Sequence, residues 1–373
     1  MAFQKIALTL AAASCLLLAG CGEGTTTDKK AEKAVSSTEP LKAAWVYPSP
    51  RADEGWSKQH EEARMLIEQK YGDKIKTQVV DNVTNTVDAE RVIRDLAAQG
   101  NKIIFATSFT YMNPALKVAK EFPDVKFENC TGYKTAANYS NYNARFYQAR
   151  YLAGKLAASM SKTAHLGYVA AMPIPEVLQG INAYTLGAQS VNPDVKVSVV
   201  WTNTWYDPGK EVDATNTLIG QGCDILTHHT DSTAVPATAE SRGVKVISYH
   251  SAMTKTAPKQ LIGAVTHHWD EYYAHRIQAL YDGKWKVEPV WGGAELHMVR
   301  LSAITPDAPK SVVEDINAVY SKMEKKEFSV FSGPIVDNEG KVQIPEGKVA
   351  DDKMLNTMNY FVKGVIGKVP TGK

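Results

Sequence analysis

Beyond about residue 41 the chain alternates short, unbroken apolar runs with longer stretches whose apolar residues recur at helical spacing, and this alternation points to an α/β architecture. A strand buried on both faces reads as a continuous apolar run, whereas a helix lying on a sheet shows only an apolar stripe. Strand and helix in strict succession call for a mainly parallel sheet, because each return to the same strand direction needs a crossover. The pattern predicts strands over 43–47, 75–80, 102–106 and 125–128, with helices over 57–70, 87–99 and 113–121 between them. It then repeats, with strands over 165–169, 195–201, 225–228 and 244–249 and helices over 176–190, 208–220 and 233–242. An alanine-rich helix over 143–161, with small residues at Ala149, Ala153 and Gly154, joins the two halves. The tail adds a helix over 312–325, a hairpin turning at Asn338-Glu339-Gly340 and a last helix over 353–362. Two lobes of ordinary domain size follow, each with its own core. Open α/β sheets bind ligands beyond the carboxyl ends of their strands, so two such lobes facing each other place a site in the cleft, with hinge closure as the natural motion.

The first residues say where such a protein works. A basic start, Met1 to Lys5, leads into an apolar stretch from Ile6 to Leu17 and then Leu18-Ala19-Gly20-Cys21. This is the pattern of a secretory signal (residues 1–20) ending in a lipobox, with an apolar core too short to span a bilayer. Cleavage there would leave Cys21 to carry lipid, and the polar stretch over 21–40, nearly devoid of large apolar residues, would act as a tether. An ordinary signal peptide with an incidental cysteine, or a short membrane anchor, is the alternative. The expected location is the periplasm or cell surface, on a membrane-anchored lipoprotein. With 42 Lys and Arg against 40 Asp and Glu, the net charge is +2, and no long cationic stripe exists of the kind a nucleic acid requires. Membrane attachment is therefore left to lipid alone. Cys15 would leave with the signal, and the apolar, strand-like settings of Cys130 and Cys223 favour two separate buried thiols over a disulfide.

The loops past the strands carry the chemistry. The first holds Pro48, Asp53, Gly55 and Trp56, and the next Thr107, Ser108, Phe109 and Tyr111. Others hold Met172-Pro173-Ile174-Pro175-Glu176; Asn203, Trp205, Tyr206 and Asp207; and His229, Thr230, Asp231 and Ser232. Aromatics beside a few short polar groups suit a flat, partly polar ring, since stacking on a base-like ring contributes about 1–3 kcal/mol while carboxylates and amides read its edge. Trp56 and Trp205 have a plainer role open to them as plugs on the lobe surfaces, and Asp207, just before Pro208, as a helix cap. His228-His229, His250 and His267-His268 invite a metal, but adjacent residues of a strand point to opposite faces and no HxH, HExxH or CxxC spacing is present. Nor is there a GxSxG elbow, a Walker loop or a GxGxxG after the first strand, so the reading is of a binding protein that is not an enzyme and has no cofactor.

One set of motifs comprises Asp53-Glu54-Gly55-Trp56, Phe105-Ala106-Thr107-Ser108-Phe109, Tyr151-Leu152-Ala153-Gly154 and Gly167-Tyr168-Val169-Ala170-Ala171 with Pro173-Ile174-Pro175-Glu176. These resemble the basic membrane protein family, the lipid-anchored substrate-binding proteins of purine and nucleoside ABC importers. Gly180-Ile181-Asn182-Ala183-Tyr184, Val191-Asn192-Pro193-Asp194, Trp205-Tyr206-Asp207-Pro208 and His229-Thr230-Asp231-Ser232 continue the match over nearly the whole mature chain. The resemblance implies a type I periplasmic-binding fold, two Rossmann-like lobes with parallel sheets around a hinged ligand cleft. It also implies a permease partner and a monomeric receptor. Lobe 1 would comprise 41–161 and about 270–305, and lobe 2 would comprise 162–269 and about 306–373. The chain is most similar to the branch associated with nucleobases such as adenine, which has a tryptophan after the first strand. Nucleoside-binding relatives carry a phenylalanine–asparagine pair there, and later an aspartate for the ribose hydroxyls. Here Gly55-Trp56 stands in the first place and Ser248-Tyr249-His250-Ser251-Ala252 in the second, with alanine where the acid would fall; a relative's lysine is replaced within Thr266-His267-His268-Trp269. An unpaired sugar hydroxyl in a closed cleft costs roughly 1–3 kcal/mol, which favours a bare base. In the expected site Trp56 and Phe109 or Trp205 sandwich a purine. Ser108, Glu176, Asp207 and Asp231 make edge contacts, His250 serves as a substitute donor, and Trp269 completes the set. A receptor that passes its closed state to a membrane sensor is the alternative to transport.

Overall fold

The computed structural model describes residues 39–370 apart from Asp53; Cys21, the leader and most of the tether lie outside the described residues. In the first half, strands β1 (Leu41–Val46), β2 (Ile75–Val80), β3 (Ile103–Ala106), β4 (Lys126–Cys130) and β5 (Tyr139–Ala144) are joined by α1 (Trp56–Tyr71), α2 (Thr86–Ala98) and α3 (Met112–Glu121). Helix α4 (Phe146–Met160) leads to the second half, β6 (His165–Ala170), α5 (Pro175–Gln189), β7 (Lys196–Trp201), α6 (Pro208–Gly220), β8 (Ile225–His228), α7 (Ala234–Arg242), β9 (Lys245–His250) and β10 (Leu261–His267). The chain continues through α8 (Asp270–Tyr281), β11 (Val290–Gly292), β12 (Val299–Ser302), α9 (Lys310–Glu324), the hairpin β13 (Ile335–Val336) and β14 (Val342–Ile344), α10 (Asp352–Asn356) and β15 (Val365–Ile366).

Besides the β13-β14 hairpin, two large sheets form among the described residues, ordered β11-β5-β4-β3-β1-β2 and β12-β10-β9-β8-β6-β7-β15. The first is parallel throughout, and in the second only β12 runs against its neighbour β10. Each half therefore repeats one doubly wound order, in which the chain turns back after its first two strands. Helices on both faces bury the central strands; Ile103, Ile104, Phe105 and Ala106 of β3 are all inaccessible. Local signals set several helix starts. The Asn85 side chain accepts from the Asp88 amide ahead of α2, and prolines open α5 and α6, where a missing N–H costs nothing. Helices α4 and α5 pack backbone to backbone. A Cβ on Gly154 would strike the Tyr184 carbonyl oxygen, and one on Gly187 the Tyr151 carbonyl oxygen.

Several expectations change. The linking helix begins at Phe146 rather than 143, because Asn143 belongs to β5, a strand whose polar letters, YSNYNA, hide its burial. Strands β10, β11 and β12 were not anticipated either. The last helix ends at Asn356 because the Asn182 side chain takes over the following backbone, donating to the Tyr360 carbonyl and accepting from the Val362 amide, before β15 joins β7. Among the described residues the chain passes between the sheets after β5, after β10 and after β11. Strand β12, expected within lobe 1, pairs with β10 in the second sheet, so the return falls before Val299 rather than near 305. Cys130 and Cys223 are buried free thiols, one associated with each sheet.

Candidate functional site

The switch points of the two sheets, between β1 and β3 and between β6 and β8, face each other, and loops from both line a small pocket of about 30 Å³. Pro48, Trp56, Ser108, Phe109 and Thr131 line it from the first lobe, and Glu176, Trp205, His229, Asp231 and His250 from the second. A wider crevice, about 890 Å³ and open to solvent, adjoins it through Phe109, Thr131 and Glu176.

Each wall is fixed from behind. The Trp56 indole N–H donates to the Thr107 carbonyl at 2.7 Å, and its ring meets His60 and Trp269 edge-on, so only part of the indole is left for the pocket. The Ser108 hydroxyl closes a short turn by accepting from the Thr110 amide at 3.3 Å. On the far side, buried Glu211 accepts from the hydroxyls of Thr230 (2.8 Å) and Ser232 (2.7 Å), which shapes the loop carrying Asp231. Arg150, fully buried in α4, donates to the His228 carbonyl at 2.7 Å and lies 3.7 Å above the Tyr249 ring, tying the ends of β8 and β9 to the helix. His250 sits at φ 74°, a left-handed backbone that few non-glycine residues adopt and that the surrounding packing must hold.

The electrostatics favour an uncharged interior. Burial lifts Glu176 to about 7, against a 2.9 Å hydrogen bond from Asn143 that pulls the other way. Burial first, then the charges of Glu211 and Glu176, raise Asp231 well above the usual carboxylate range. Burial lowers His229 and His250 well below the ordinary imidazole value. All four are thus driven toward their neutral forms. Trp205 Nε1, His229 Nδ1 and His250 Nε2 are buried without an internal hydrogen-bond partner, an arrangement proteins rarely leave unmet. His250 Nε2 is 3.3 Å from Asp231 Oδ1, without hydrogen-bond alignment, and His229 Nε2 is 3.7 Å from Glu176.

Seven of the nine expected ligand contacts, Trp56, Ser108, Phe109, Glu176, Trp205, Asp231 and His250, line this pocket. Asp207 does not. Its carboxylate caps α6 by accepting from the Lys210 amide at 3.1 Å, and Glu211 reaches back to the Asp207 amide, so the helix start claims it. Trp269 does not either: it is fully buried, stacked on His60, with its N–H donated to His267 Nδ1 at 2.7 Å. His229, Thr131 and Pro48 were missing from the expected contacts. The first and last stood in loops already singled out, whereas Thr131 follows an ordinary strand and offered no signal. Among the described residues no group of three or more His, Cys, Asp or Glu side chains could hold a metal ion, and no helix is long and apolar enough to cross a membrane.

Two parallel-sheet lobes closing on a shared pocket, whose acids and imidazoles are driven toward neutrality, define a bilobed solute-binding protein of type I architecture. The chain belongs to the Bmp family of PnrA-like ABC transporter substrate-binding proteins, whose family model matches residues 41–337. It is 47% identical over 339 residues to a purine-binding protein of Brucella abortus, covering 90% of this chain and 96% of that one. It is 35% identical over 336 residues to a putative ABC transporter glucose-binding protein of Haloferax volcanii, covering 90% and 83%. Its fold matches a solved solute-binding protein of Aeropyrum pernix with a TM-score of 0.67 at 18% identity, over 78% of this chain and 93% of that one. The protein is a substrate-binding component, not an enzyme, with a small-molecule ligand and an ABC permease as partners.

Proposed function

We propose that this cleft binds a purine nucleobase of the adenine type and delivers it to the permease from a lipid anchor at Cys21, as a monomer outside the cytoplasmic membrane. Trp205 of one lobe and Phe109 or Trp56 of the other hold the ring, while Ser108, Glu176, Asp231, His250 and His229 face its edge. The observation that carries this reading is the pairing of aromatic walls with buried, unpartnered polar atoms, Trp205 Nε1, His229 Nδ1 and His250 Nε2, in a pocket whose acids and imidazoles are driven neutral. A flat, uncharged heterocycle with donors and acceptors on its rim satisfies all of these at once. The name of the Brucella abortus relative supports the same class. A nucleoside is the second reading, favoured by the crevice beyond Phe109 and Glu176, which offers space for a sugar. Native mass spectrometry of the purified protein tests the proposal. It should release a purine base on denaturation, and a sugar or metal ion in its place would refute it.

A further inference from the structure

Behind the pocket runs a line of three rings whose hydrogen bonds can be directed from chemistry alone. Trp269 Nε1 lies 2.7 Å from His267 Nδ1, and His267 Nε2 lies 3.0 Å from His250 Nδ1. An indole nitrogen only donates, so His267 Nδ1 must accept and cannot hold a proton. A neutral imidazole carries its single proton on the other nitrogen, so His267 Nε2–H donates onward and His250 Nδ1 must accept in turn. The proton of His250 is thereby placed on Nε2, the buried and unpartnered atom beside Asp231. A protonated imidazole at either position would set two N–H groups against each other. Burial, which lowers both imidazoles well below their ordinary value, acts in the same direction.

We propose that Trp269 and His267 are positioning residues that fix the tautomer of His250, making its Nε2–H an obligatory donor into the cleft, so that His250 selects a ligand atom with a free lone pair and refuses an N–H at that position. The selectivity half of this inference rests on the purine reading; the tautomer half does not. Trp269, unable to touch a ligand itself, would thus still govern what the pocket accepts. A site built around a directed donor discriminates strongly, because the wrong partner leaves a buried polar group unpaired.

Long-range proton–nitrogen NMR on ligand-free protein labelled with 15N-histidine tests the relay directly. Pyrrole-type Nε2 and pyridine-type Nδ1 signals on both His250 and His267 are expected; a pyrrole-type Nδ1 on either overturns it. Trp269→Phe should mix the tautomers of His267 and His250, and if that variant does not fold, the unmodified protein still decides. Calorimetry with adenine and its 1-deaza, 3-deaza and 7-deaza counterparts tests selectivity. One deaza change should weaken binding roughly 10-fold in the unmodified protein and little in His250→Phe. Equal discrimination in both proteins overturns the selectivity. Failure of every purine to bind would refute the ligand class and, with it, this selectivity, while the NMR signals would still judge the relay.

Discussion

Trp205 separates ligand contact from folding better than any other aromatic of the pocket. Its ring is only partly buried and its N–H is unpaired, whereas Trp56 is packed among His60, Phe146 and Trp269 with its N–H already used. Trp205→Ala should therefore weaken purine binding about 10- to 100-fold in calorimetry with a small change in Tm. Trp56→Ala should in addition cost on the order of 3–5 kcal/mol of stability through the cavity it leaves. Glu176 makes a second test. Its folded pKa is raised to about 7 from an ordinary 4.5, so the folded state holds a proton that the unfolded chain releases between those values. Its contribution to stability is full below pH 4.5, declines by roughly 3 kcal/mol as pH rises to about 7, and is flat above. Ligand-free Glu176→Gln should lose that decline in thermal melts from pH 5 to 8; an unchanged slope would contradict the burial assigned to this carboxyl. At this scale the sequence was legible where a loop residue had no local competitor for its polar atoms. Asp207 took the helix-cap role that its place before Pro208 had left open, whereas Trp269 escaped because a neighbouring imidazole claimed its N–H.

Helix α4, expected in lobe 1, packs instead on α5, β10 and β12 of the second lobe, and two glycines make its joint with α5 possible. Gly154 and Gly187 each meet the carbonyl oxygen of a residue on the opposite helix, so neither has space for a methyl group. Gly187→Val should destabilise the protein by at least about 1–3 kcal/mol, read as a lower denaturant midpoint at unchanged m-value. The sequence showed small residues at Ala149, Ala153 and Gly154 in a helix joining the halves, but neither the close contact nor its partner. Regular strands and helices were legible wherever apolar period and capping residues agreed, as for β2 and α6. Strand β5 was not, because its asparagines and serine are buried by hydrogen bonding: Asn141 donates to the Lys134 carbonyl, and Ser140 accepts from the Glu288 amide. Tertiary partners of this kind leave no trace in a local hydropathy pattern. Strands β11 and β12 are three and four residues long and take their partners from distant chain, which periodicity cannot report.

For the whole molecule, the repeated strand order places both switch points on one cleft, and contacts across it define the closed form. Glu54 accepts from the Thr256 hydroxyl at 2.9 Å, and Gly55 packs against the Asp231 carbonyl so closely that a Cβ would overlap the oxygen. The backbone at Gly55 is extended (φ −153°), so space alone demands glycine there. Gly55→Ala should hold the lobes apart, lowering affinity at least about 10-fold and abolishing the ligand-induced fall in radius of gyration seen by X-ray scattering. Normal closure in that variant would show that the lobes meet differently. The two-lobe plan was readable from strand–helix alternation, and the return to the first lobe near 270, expected from the family resemblance, holds for α8 and β11; that β12 then pairs with β10 was not readable, since it depends on which sheet edge is free. The central claim is that the cleft grips a bare planar base, and calorimetry on ligand-stripped protein with adenine, adenosine and glucose tests it most directly. Adenine binding at one site per chain, with adenosine weaker and glucose silent, is the predicted result; glucose binding with adenine silent, or adenosine tighter than adenine, would contradict it.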